Sequence, residues 1–201
     1  FIGTVTTGAC LSVVSQTKAD NMFQITPSAS AAKVIANDNC FQVCFTDPNQ
    51  GTASADYIAS KGLATKVAVI YNSSDAYSSG IYDNFKAEAA AKGLDLVASE
   101  AFTGDSKQDF SSQLSKIKAS GAELIFLPIY YQEASLILSQ AKNAGITAKF
   151  FGCDGLDGLL NIENFDKSLA ENVMLLTPFA ANATDETTKK FVAAYNAKYD
   201  P

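Results

Sequence analysis

The sequence predicts an α/β fold: three-layer, doubly wound parallel sheets. Three observations carry that reading. Strand-length apolar runs alternate with helical patterns along most of the chain, the order that builds βαβ units. Several runs, such as Leu124–Leu127, are continuously apolar, as strands covered on both faces are. Helical stretches also end in glycine, at Gly93 and Gly145, where a left-handed cap belongs.

In chain order, Phe1–Val5 reads as a strand remnant. Thr6-Thr7-Gly8 turns into a helix reaching about Lys18, with Leu11, Val14 and Ala19 inward. Met22–Ile25 is a short strand ending at Thr26-Pro27-Ser28-Ala29-Ser30, followed by a short helix over Ala31–Ile35. Phe41–Phe45 is a strand that runs into Thr46–Gly51, where Pro48 and its polar neighbours mark a break and a crossover. A helix over about Gly51–Ala59 precedes the strand Lys66–Tyr71. The helix Ser78–Lys92 places Ile81, Phe85 and Ala89 on one face. Leu96–Ala98 is a strand, and Phe110–Ala119 a helix with Asp109 as N-cap and Leu114 and Ile117 inward.

The clearest βαβ unit is Leu124–Gly155. It pairs the strand Leu124–Leu127 with the strand Lys149–Gly152 through a helix from about Gln132 carrying Ala134, Ile137, Leu138 and Ala141 at helical spacing. Asn161–Asp166 is a short helix or irregular. Val173–Thr177 is the last strand, and Asp185 starts a closing helix through Tyr199 with Phe191, Val192 and Tyr195 apolar. The chain thus divides into 1–46, 47–180 and 181–201. The middle unit holds five strands and at least three helices, and the first holds two or three strands of an incomplete second lobe. Phe1-Ile2-Gly3 reads as the end of a buried strand and Tyr199-Asp200-Pro201 comes straight after a helix, so the chain is expected to be an interior piece of a longer protein.

Composition narrows function. The 201 residues carry a net charge of −6, with no histidine, tryptophan or arginine. An acidic chain without arginine is poorly suited to nucleic acid or to an anionic membrane surface. It also lacks the usual general base and the bidentate carboxylate clamp. A carboxylate on any ligand must then go to backbone N–H groups, hydroxyls or lysine. The four cysteines lack metal or redox spacing and read as free thiols. No dinucleotide, P-loop, nucleophile-elbow or zinc-protease motif occurs, so neither cofactor, metal nor enzymatic activity is expected.

What remains is a set of polar loops at strand carboxyl ends, where open α/β sheets bind ligands. Thr6-Thr7-Gly8 and Ser28-Ala29-Ser30 each precede a helix, and serve either as N-caps alone or as two halves of one carboxylate site. Tyr77, Tyr130 and Tyr131 come after strands and are either cleft walls or loop packing. Asp154, between Cys153 and Gly155, either pairs with a cation or caps the segment after Gly155.

The same residues carry a family resemblance. GTVTTGA (Gly3–Ala9), ITPSAS (Ile25–Ser30), CFTDPNQG (Cys44–Gly51), DAYSSG (Asp75–Gly80), FLPIYYQEA (Phe126–Ala134) and FFGCDG (Phe150–Gly155) together resemble the type I periplasmic binding proteins of the leucine/isoleucine/valine class. These are the solute-binding subunits of amino-acid ABC importers. The resemblance implies a two-lobe fold, with 1–46 as partial lobe I, 47–180 as lobe II and 181–201 returning towards lobe I. It implies that an amino acid, branched-chain or aliphatic, is clamped between the lobes. Thr7 would match the hydroxyl that holds the ligand carboxylate, where the family usually has serine. Ala29, through its backbone, and Ser30 would share carboxylate and ammonium, Tyr77 and Tyr130 would close over the ligand, and Asp154 would pair with the ammonium. It further implies an ABC permease as partner, a monomer, and a periplasmic or extracellular location with lipid anchoring through a preceding segment as one form. A ligand-sensing domain of a regulator or receptor shares the fold and is the alternative.

Overall fold

The structure, a computed structural model, describes residues 1–199; Asp200 and Pro201, at the end of the terminal stretch, lie outside the described residues. Two parallel sheets organise it. In the smaller, β1 (Gln24–Thr26) pairs with β2 (Cys40–Gln42), and Ile2 adds a single bridge to Ile25. The larger has five parallel strands in the order β4-β3-β5-β6-β7, formed by β3 (Lys66–Asn72), β4 (Asp95–Phe102), β5 (Leu124–Leu127), β6 (Lys149–Gly152) and β7 (Val173–Leu175).

Continuous apolar strands become the middle of a sandwich because alternate side chains enter opposite faces. Val67 and Val69 of β3 and Leu124 and Phe126 of β5 join one cluster, with Ile58 of α3 (Asp47–Ser60) and Ile81 and Phe85 of α4 (Ala76–Ala91). Ala68, Ile70, Ile125 and Leu127 join the other, with Leu114 and Ile117 of α5 (Ser111–Ser120) and Ile137 of α6 (Tyr131–Asn143). Each fully buried aliphatic or aromatic side chain contributes about 1.5–3 kcal/mol, so these two clusters dominate the stability of the large sheet. The small sheet has its own core, with Cys10, Val14, Ala29, Val34 and Cys40.

Both strands of the clearest βαβ unit lie where the sequence puts them. Gly93 and Gly145 end their helices at φ +74° and +67°, conformations a side chain would strain. Several expectations are corrected. The first helix is two: α1 (Thr7–Leu11) and α2 (Val14–Ala19), with Ala19 exposed rather than inward. Phe1–Val5 forms a single bridge rather than a strand. The segment Thr46–Gly51 is no break: α3 starts at Asp47 and takes Pro48 into its first turn, where a missing N–H costs nothing. β4 runs to Phe102, longer than expected, and β7 stops at Leu175. Asp109 is not the N-cap: α5 starts at Ser111 with Phe110 in that position, and the Asp109 carboxylate, one residue earlier, accepts from the Ser111 amide at 2.9 Å. The terminal helix α7 (Glu186–Tyr199) buries no side chain, leaving Phe191 and Tyr195 exposed.

Candidate functional site

Strand order fixes where the site is. After β3, the chain goes outward to β4 and then returns to β5 on the other side, so the sheet reverses direction between β3 and β5. A crevice opens at the carboxyl ends of strands at such a reversal. Tyr77 lies past β3 and Tyr130 past β5, and their rings stack at 4.8 Å across that gap. Asp154, just past β6, completes the large-sheet side. The Tyr77 hydroxyl donates to Asp154 Oδ1 at 2.7 Å and accepts the Gly155 N–H at 2.9 Å. Gly155 is required there, because a Cβ would stand 2.6 Å from the Ile129 carbonyl and 2.7 Å from the Tyr77 hydroxyl.

These groups face the loops of the small sheet across a cavity of about 170 Å³, which Thr6, Ser28 and Ser30 line from one side and Tyr77, Tyr130 and Asp154 from the other. A larger cavity of about 330 Å³ lies beyond β7, between Leu156 and Leu175. It is mostly apolar, and of the convergent loops only the one after β6 reaches it, through Leu156 and Asp157, so the smaller cavity, where all of them meet, is the candidate site. Four of the six expected residues, Ser30, Tyr77, Tyr130 and Asp154, therefore meet around one space. Thr7 and Ala29 stand behind its wall. The Thr7 hydroxyl oxygen accepts from the Ser30 and Ala31 amides at 3.2 and 3.3 Å, which fixes the loop and leaves its own proton to donate. The Ala29 amide donates to Thr26 Oγ1 at 3.0 Å, and its carbonyl accepts from Cys44 Sγ at 3.6 Å.

The site is electrostatically one-sided. Burial, and then the charges of Asp75, Asp154 and Asp47, push the Tyr130 phenol up, tempered by the nearby Thr7 amide. Burial chiefly also pushes Tyr77 well up. Both phenols therefore stay neutral donors. No ion pair among the described residues involves Asp47, Asp75 or Asp154. Asp154 lines the cleft without a basic partner, and Asp47 and Asp75 lie near enough to add to the negative field there, which favours a ligand that brings a cation. Among the described residues no cluster has the make-up of a metal site.

Two contributors were not foreseen. Asp47 is 1% exposed, and neither carboxyl oxygen has a hydrogen-bond partner among the described residues. Burial raises its pKa to about 7, with Asp154 and Asp75 adding to the rise. Ser30 and Gln50 lie close enough to temper it without reaching hydrogen-bond geometry. Gln50, fully buried on the same turn of α3, accepts the Asp154 N–H through Oε1 at 3.3 Å. The Asp-x-x-Gln spacing at Asp47–Gln50 was the available signal, and reading the segment as a break concealed it.

A family model described as periplasmic binding protein matches residues 1–201. The chain belongs to that family. Among periplasmic binding proteins it is similar to the Leu/Ile/Val-binding protein homolog 3 of Brucella melitensis, 33% identical over 77% of this chain and 42% of that protein. It is also similar to the leucine-, isoleucine-, valine-, threonine- and alanine-binding protein of Pseudomonas aeruginosa, 28% identical over 89% of this chain and 48% of that protein. Among solved structures, the leucine-binding protein LivK of Thermotoga maritima superposes with a TM-score of 0.88 at 27% identity. The branched-chain amino acid transporter substrate-binding protein LivJ of Streptococcus pneumoniae, in complex with isoleucine, superposes with 0.86 at 29%. Both superpositions take in all of this chain and 57% of the neighbour. The motifs that resemble the leucine/isoleucine/valine class thus have relatives of that class, and the chain has the type I periplasmic-binding-protein fold. It spans about half the length of the curated relatives it matches.

Proposed function

We propose that this chain forms the ligand cleft of an extracytoplasmic solute-binding subunit of an ABC importer and takes an aliphatic, branched-chain amino acid. The observation that carries this is the cavity in which hydroxyl-bearing loops of one sheet face Tyr77, Tyr130 and an unpaired Asp154 of the other. A zwitterion satisfies both sides. Its ammonium sits on Asp154, whose Oδ1 the Tyr77 hydroxyl already holds in place. Its carboxylate goes to the loop of Ala29 and Ser30, which meets the cavity through Ser30 with the Thr7 hydroxyl and the Ala29 backbone one layer behind, since the chain has no arginine to receive it. The stacked tyrosines form the wall against which the apolar side chain packs. Neither charge of the ligand is then buried alone, which would cost several kcal/mol.

In this reading residues 1–46 are part of lobe I, 47–180 are lobe II and 181–201 return towards lobe I. Lobe closure presents the loaded form to a permease as a monomer, and the protein performs no chemistry on its ligand. The names of the relatives support the ligand class, and the acidic, arginine-free composition fits it. A thermal-shift screen of the twenty amino acids against the intact protein tests the proposal. Leucine, isoleucine or valine should raise the melting temperature, because ligand at a hundred times its Kd adds about 2.7 kcal/mol to stability. A shift only with acidic amino acids, or with none, would refute it.

A further inference from the structure

The first turn of α3 touches both halves of the cleft. Its Asp47 amide donates to the Ser30 carbonyl at 2.9 Å, holding the small-sheet loop. Three residues later Gln50 accepts the Asp154 N–H at 3.3 Å, holding the large-sheet loop. The amide orientation of Gln50 is set by chemistry: a backbone N–H only donates, so Gln50 must meet it with oxygen. Nε2 is then left as a donor on a fully buried side chain with no partner among the described residues. Close by stands the Asp47 carboxyl, also buried and also unpartnered. A buried polar group left unsatisfied destabilises the fold. Stability alone does not account for such a pair beneath a ligand cleft. We propose that Gln50 is a positioning residue for the ammonium site: it fixes the backbone at Asp154, and with Asp47 it ties that carboxylate to the loop that carries Ser30.

The inference rests on the amino-acid reading of the cleft and adds a specific claim to it. Gln50 acts on the ammonium through Asp154, so its loss must weaken ligands that carry an ammonium and spare those that lack one. In the intact protein, calorimetry with leucine and with 4-methylpentanoate, the same skeleton without the amino group, separates the two. Gln50→Met keeps length and removes both polar atoms; Gln50→Ser opens room for water; Gln50→Glu keeps the acceptor for the Asp154 amide. The ratio of leucine to 4-methylpentanoate affinity should fall about tenfold in the folded Met or Ser variant, the upper end of what one neutral hydrogen bond contributes. It should return to within about threefold of wild type in Gln50→Glu. Combined with Asp154→Asn, the Gln50→Met change should add little further, as coupled residues do. An unchanged ratio, an equal loss for both ligands, or failure of the Met and Ser variants alike to fold would overturn the positioning role. If the wild type binds no leucine, the amino-acid reading itself has failed, which is a different result.

Discussion

Removing one oxygen, in Tyr77→Phe, probes the site with little disturbance of its packing. Tyr77 is 2% exposed and its ring is stacked on Tyr130 at 4.8 Å, so phenylalanine keeps the buried surface. What goes is a hydroxyl that donates to Asp154 Oδ1 at 2.7 Å and accepts from Gly155 at 2.9 Å. A hydrogen bond to a charged group contributes about 1.5–3 kcal/mol. Asp154 is half-buried and open to the cleft, so water replaces part of that. The net loss of stability should be about 2 kcal/mol. In a urea titration followed by circular dichroism, that moves the midpoint down by about 1 M with the slope unchanged. Amino-acid affinity should fall about tenfold, because Asp154 then has to be ordered by the ligand. A midpoint within about 0.2 M of wild type would refute the claim that this hydroxyl holds the two strand-end loops together.

Other outcomes rest on the same geometry. Gly51→Ala puts a Cβ 2.4 Å from the Ile81 carbonyl and 2.7 Å from the Phe85 amide, where α3 and α4 touch backbone to backbone; a loss of about 3 kcal/mol in chemical unfolding is expected. Phe126→Ala empties a fully buried site stacked on Phe85 at 4.1 Å and should cost about 3–5 kcal/mol. Asp47 gives a pH signature. Its pKa is about 7 folded against an ordinary 3.8, so the folded state holds the extra proton between those values. Its contribution is therefore present in acid and is lost as pH rises from 4 towards 7, by up to about 1.4 kcal/mol per pH unit. Asp47→Asn should remove that slope in denaturation series across the range.

Legibility in the sequence tracked burial. β5 is covered on both faces, so its apolar run marks it to the residue, Leu124–Leu127, while β6, Lys149–Gly152, is buried only in its second half and is marked by the paired Phe150 and Phe151 after the Gly145 turn. β4 lies at the sheet edge, with half-buried and exposed residues mixed along it, and only Leu96–Ala98 in its first half reads as a strand. Pro48 misled because proline breaks a helix interior but suits a first turn; the two situations read alike until the helix start is known. Site residues on strand ends were legible because topology forces such loops together. Asp47 and Gln50 were not, since their Asp-x-x-Gln spacing carries meaning only once the helix is known to start before Pro48. Thr7 and Ala29 show the reverse case: the motif marks their loops, yet the cavity is lined by their neighbours Thr6, Ser28 and Ser30.

The decisive measurement is calorimetric titration of the intact protein with leucine, for the wild type and for Asp154→Ala. If Asp154 is the counter-ion of a bound ammonium, the variant should lose about 2 kcal/mol or more, the cost of leaving that cation buried and unpaired. An Asp154→Ala protein that binds leucine as tightly as the wild type would contradict the assignment on which the cleft's function rests.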